Sequence, residues 1–116
     1  MKILIVDDEM NIRLLLKEIL VMNNVDSDEA EHGKMGLEKV MQQHYDMIFL
    51  DRRMPIMSGD ETLVEMRKHT DVPIYLISAF QTDEQIAELK QNGATGILMK
   101  PFTIEEVTNI VQKYTK

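Results

Sequence analysis

The sequence predicts an α/β fold: a doubly wound parallel sheet of five strands with helices on both faces. Three observations predict it. Short apolar runs alternate with longer segments of helical period. Four of those runs are apolar at consecutive positions, which is how strands buried on both faces of a parallel sheet read. The order is strand then helix, five times over, and right-handed crossovers turn that order into two helical layers around one sheet.

The four buried runs are Ile3-Leu4-Ile5-Val6, Met47-Ile48-Phe49-Leu50, Ile74-Tyr75-Leu76-Ile77 and Ile97-Leu98-Met99. The stretch from Val25 to Ala30 is more polar and reads as an edge strand. Helices are expected at 9–22, 33–43, 58–68, 82–91 and 103–115. Ser58 with Glu61, Thr82 with Gln85 and Thr103 with Glu106 have capping-box spacing, in which two side chains satisfy backbone N–H groups that lack a helical partner. Gly93 and Gly96 suit a helix end turning into the last strand. Pro73 opens a strand, where its missing N–H does least harm. On the first helix Ile12, Leu15, Leu16 and Ile19 form one apolar stripe, and Met10, Leu14 and Val21 a second.

A chain of 116 residues fits one domain, 1–116. A net charge of −7 argues against a surface made for nucleic acid or anionic membrane. No apolar run approaches the roughly 20 residues that cross a bilayer. With no cysteine, disulfides, thiolate metal sites and cysteine nucleophiles are excluded, and a reducing cytoplasm is the expected location. Ten methionines fit an adaptable core. His32, His44 and His69 lie away from the strand ends and are expected at the surface.

The polar groups that follow the buried strands are more informative. Asp7 and Asp8 follow the first, Asp51 the second, Ser78 the third and Lys100 the fourth. Parallel strands point one way, so these five residues meet at one rim, where open α/β sheets bind ligands. Crowded carboxylates raise one another's pKa unless a cation is present. Oxygen donors without His or Cys suit a hard divalent cation, Mg²⁺ before others. A carboxylate can also be a nucleophile toward phosphorus. Lys100 would supply point charge and Ser78 a hydroxyl donor. Each residue alone has a plainer reading; Asp8, for example, could cap the first helix. Five such residues at four strand ends make the plain reading a poor one.

Taken with ILIVDDE, LDRRMPIMSGDE, ISAF and LMKPF, these residues make the whole chain resemble the receiver domain of two-component response regulators, most of all the single-domain sporulation phosphorelay type. The resemblance implies a flavodoxin-like three-layer αβα sandwich with strand order 2-1-3-4-5. It implies Mg²⁺ on Asp8, Asp51 and the backbone carbonyl of Arg53, with Asp7 acting mainly through water. It implies a phosphoryl group passed from a sensor histidine kinase or histidine phosphotransfer protein to Asp51, with Ser78 as the switch hydroxyl and Lys100 as the family lysine. The Lys100–Pro101 bond is expected to be cis. Ile97 stands where many receivers carry Tyr or Phe, so the aromatic half of the switch is expected to be muted. Arg53 and Phe80 are expected to cover the acyl phosphate and lengthen its life. Ile12 and Leu15, near the acidic rim, are the expected docking residues.

A stand-alone monomer working by contact, as a relay intermediate or a chemotaxis-like switch, is expected if the chain is complete. A receiver piece of a DNA-binding regulator is the alternative, and independent substrate turnover is not expected. A Mg²⁺-dependent small-molecule phosphotransferase is disfavoured because 116 residues leave no substrate cap. A nucleotide-binding flavodoxin relative is disfavoured because the loop after the first strand is acidic.

Overall fold

The computed structural model describes residues 1–79 and 81–115. The strands are β1 (Lys2–Val6), β2 (Asp26–Ala30), β3 (Met47–Asp51), β4 (Ile74–Ser78) and β5 (Gly96–Met99). The helices are α1 (Met10–Met22), α2 (Gly33–Gln42), α3 (Gly59–Arg67), α4 (Asp83–Gln91) and α5 (Ile104–Gln112). The sheet order is β2-β1-β3-β4-β5 and every pairing is parallel.

The pleat sends alternate side chains to opposite faces, which divides the core in two. On one face Ile3, Ile5, Met47, Phe49, Ile77 and Leu98 pack under Leu16, Ile19 and Leu20 of α1 and Val107 and Val111 of α5. On the other, Leu4, Val6, Ile48, Leu50, Ile74 and Leu76 pack under Leu63 and Met66 of α3 and Leu89 of α4. Each fully buried side chain of this kind contributes roughly 1.5–3 kcal/mol. On α1, Leu16 and Ile19 are buried, Ile12 is half-buried, and Met10, Leu14, Leu15 and Val21 remain exposed.

β2 is the polar edge strand that the sequence predicts, hydrogen-bonded only to β1. The other edge departs from expectation. The run at 97–99 reads as buried on both faces, yet Met99 is 42% exposed and Ile97 only half-buried. β5 pairs only with β4, so the helical layers do not close over its outer side. Gly96 is needed there because a Cβ would lie 2.7 Å from the Tyr75 ring.

All three expected capping boxes form, at Ser58, Thr82 and Thr103. His44 and His69 are exposed as expected, but His32 is half-buried and caps α2, its Nδ1 accepting the Met35 N–H at 3.2 Å. The start of α3 lies directly on the end of β3: the Gly59 N–H donates to the Arg52 carbonyl at 2.9 Å, and a Cβ on Gly59 would lie 2.2 Å from the Asp51 carbonyl oxygen. Among the described residues, no helix is long and apolar enough to cross a membrane.

Ile56, in the loop between β3 and α3, has φ +73° and is 82% exposed. A β-branched side chain is strained in that conformation, and so much exposure returns little packing. Ile56→Gly should raise stability by about 1 kcal/mol, seen as a melting temperature about 4 °C higher.

Candidate functional site

The register brings the expected residues together. Val6 lies opposite Leu50, so Asp7 and Asp51 leave adjacent strands side by side. Asp51 lies opposite Ile77, one step before Ser78, and Ser78 lies opposite Met99, one step before Lys100. Asp7, Asp8 and Asp51 each offer a carboxylate oxygen, all within 4.8 Å of one another. Lys100 reaches in from the β5 side, its Nζ 3.7 Å from Asp51 Oδ1 and 3.8 Å from Asp7 Oδ2. The Lys100–Pro101 bond is cis, as expected.

Asp7 is fully buried. Its Oδ1 accepts the Glu9 N–H at 2.9 Å, while its Oδ2 has no hydrogen-bond partner. Glu9, rather than Asp8, is the N-cap residue of α1, so Asp8 is left exposed at the rim. Asp51 Oδ1 accepts the Arg53 N–H at 3.4 Å. Burial, then the neighbouring Asp7 charge, push the Asp51 carboxyl up to about 7, with Lys100 opposing. Burial also pushes Asp7 up. For Lys100 burial works against the charge, but the carboxylates of Asp7, Asp51 and Glu9 outweigh it and hold the pKa above its usual value.

A buried carboxylate oxygen without a partner, in a set of three acids only partly neutralised by one lysine, is what a hard cation would complete. The donors are all oxygens, which excludes a thiolate or imidazole site here.

Ile12 and Leu15 line an apolar groove of about 320 Å³ together with Lys100, Pro101 and Phe102, so the two expected docking residues open beside the site lysine. Ile97 packs against the core face covered by α3 and α4. The Arg53 side chain is exposed. Phe80 lies outside the described residues.

Several functional neighbours escaped sequence reasoning. Glu9 lies 3.4 Å from Lys100 Nζ. Arg13 is buried and donates to the Asp7 carbonyl at 2.8 Å while its Nε lies 3.1 Å from Glu29 Oε1, tying the loop after β1 to β2. Arg52, Asp60 and Gln81 form a hydrogen-bonded chain that ends on the Ser78 hydroxyl. An arginine six residues after an aspartate carries no local signal for such a role; only the fold brings Glu29 or Gln81 near.

Comparison with known proteins points to one family. The family profile described as "Response regulator receiver domain" matches residues 3–112. The chain is 34% identical over 114 residues to Sporulation initiation phosphotransferase F of Bacillus subtilis, covering 97% of this chain and 92% of that protein. It is 36% identical over 113 residues to Regulatory protein AtoC of Escherichia coli, covering 97% of this chain but only 24% of that longer protein. Among solved structures, it is similar to the chemotaxis protein CheY4 of Vibrio cholerae, with TM-score 0.91, 31% identity and 98% of each chain covered.

The raised Asp51 pKa has a consequence for stability. Between the ordinary value of 3.8 and about 7 the folded chain holds a proton that the unfolded chain releases. Stability from this group is therefore present below that window and is lost as pH rises through it. In chelator at pH 8, Asp51→Asn should melt on the order of 5 °C above the native chain, and the difference should close below about pH 4. Thermal unfolding across that pH range measures it.

Proposed function

The chain belongs to the response regulator receiver family, and from that premise we propose that Asp51 accepts a phosphoryl group from a phosphohistidine and that the chain relays it or signals by partner contact. The observation that supports this most is the buried Asp7 Oδ2, which accepts no hydrogen bond, beside Asp51 and Lys100. Asp51 attacks phosphorus with a carboxylate oxygen; the new O–P bond forms as the P–N bond to the partner histidine breaks, and the electron pair stays on the imidazole. Lys100 places its ammonium where charge gathers on the phosphoryl oxygens. Ser78 offers a hydroxyl to the same oxygens. Asp8, Asp51 and the Arg53 carbonyl would hold Mg²⁺, with Asp7 acting mainly through water, and the ion would supply charge neutralisation.

Receiver domains take phosphoryl groups from histidine kinases or histidine phosphotransfer proteins and do not turn over free substrates. For this chain we favour the phosphorelay form, cytoplasmic and monomeric, as one domain over 1–116. Two observations support it. The chain matches 92% of the sporulation phosphotransferase. The apolar groove at Ile12, Leu15 and Phe102 opens beside Lys100, where a partner helix would bring its histidine to Asp51. Arg53 and Phe80 would shield the acyl phosphate from water, and Ile97 in place of an aromatic ring would keep the conformational output small. The match to a quarter of AtoC supports a second reading, a receiver within a longer transcriptional regulator.

With acetyl phosphate and Mg²⁺, intact-mass spectrometry should find one phosphoryl group per native chain and none on Asp51→Asn; labelling of that variant would reject the assignment. Ile12→Ala and Leu15→Ala should each slow transfer from a phosphohistidine partner about tenfold. The same variants should label from acetyl phosphate at the native rate, measured in parallel.

A further inference from the structure

We infer that Gln81 is a positioning residue for Ser78: backed by Arg52 and Asp60, it holds the Ser78 hydroxyl as a hydrogen-bond donor toward the phosphoryl group on Asp51. The inference rests on the phosphoacceptor reading above.

Gln81 lies in the loop between β4 and α4 and is only 6% exposed, although glutamine is usually a surface residue. Both ends of its amide are engaged. Its Oε1 accepts from Arg52 Nη1, and its Nε2 donates to Ser78 Oγ and, at 3.4 Å, to the Ala79 carbonyl. Arg52 is anchored in turn. Its Nε donates to Asp60 Oδ1 at 2.9 Å, its Nη2 to Asp60 Oδ2 at 3.2 Å, and its backbone N–H to the Ile77 carbonyl at 2.9 Å. Asp60 sits in the first turn of α3, where the helix dipole favours its charge.

The chemistry of these groups gives the chain of bonds a direction. A guanidinium has donors and no acceptor, so the Gln81 carbonyl oxygen must face Arg52. The amide NH₂ then has to face Ser78. Ser78 must accept with its oxygen, which leaves its single proton without a claim from Gln81. Among the described residues no group takes that proton. Ser78 ends β4 next to Asp51 in the sheet register, so the proton is on hand for an oxygen bound to Asp51. Asp60, Arg52 and Gln81 thus set the polarity of the Ser78 hydroxyl before any phosphoryl group arrives, which spares reorganisation during transfer.

Labelling by acetyl phosphate with Mg²⁺ reads this out. An Asp51 oxygen forms a bond to phosphorus, the bond from phosphorus to the acetyl oxygen breaks, and acetate leaves with the electron pair. Gln81→Glu is nearly isosteric and still accepts from Arg52, but it presents an oxygen to Ser78 and draws the hydroxyl proton to itself. The initial labelling rate should fall about tenfold in Gln81→Glu and comparably in Ser78→Ala. The double variant should fall no further. Gln81→Leu, which adds no charge, should give an intermediate loss. Melting temperatures and Mg²⁺ affinities measured alongside should stay near native for Gln81→Leu. Labelling of Gln81→Glu at the native rate, a faster Gln81→Leu, or losses from Ser78 and Gln81 that add would each overturn the inference while the native control keeps the phosphoacceptor reading. A native chain that takes no label would remove both.

Discussion

Repulsion among carboxylates confined to one sheet edge is the constraint on which the rest of this structure depends. Parallel strands lie about 4.8 Å apart, so acids that follow neighbouring strands in register cannot separate. Asp7 is held further by the Glu9 N–H on one of its oxygens and by Arg13 on its own carbonyl. Two like charges about 4 Å apart near a protein surface repel by about 4 kcal/mol. Lys100 offsets part of that, and Glu9 draws on the same ammonium. The two apolar layers hold the cluster closed, so its negative charge is only partly offset within the chain.

Much of this was readable in the chain because much of it is local. Consecutive apolar positions mark β1, β3 and β4, since strands sandwiched between helices need no polar face. The capping boxes at Ser58, Thr82 and Thr103 are signals four residues long and all three form. The acids, Ser78 and Lys100 were legible because each lies at or just past the carboxyl end of an apolar run. What escaped depends on neighbours distant in sequence. The exposure of Met99 follows from β5 being an edge, which strand order decides and the run itself does not. The cap at His32 uses a residue outside the usual capping set. Gln81 and Arg52 look like ordinary loop polar residues until the sheet sets them beside Ser78.

Small residues give the site its closeness. Gly59 lets α3 begin against the carbonyl of Asp51, and Gly36 lets α2 lie against Val6 at the end of β1, where a Cβ would sit 2.8 Å from a Val6 methyl. Both glycines sit behind residues that lead into the acidic rim. The packing that seats the helices on the sheet and the packing that crowds the carboxylates are therefore the same packing.

The division of the core into two sides has an evolutionary consequence. The groove formed by Ile12, Leu15 and Phe102 belongs to the layer of α1 and α5, whereas Arg52, Asp60 and Gln81 belong to the layer of α3 and α4. On the proposed reading, partner docking and the Ser78 trigger would thereby lie on opposite covers of a shared spine. Substitutions that altered the docking side would then leave the triggering side untouched, so the two could diverge independently.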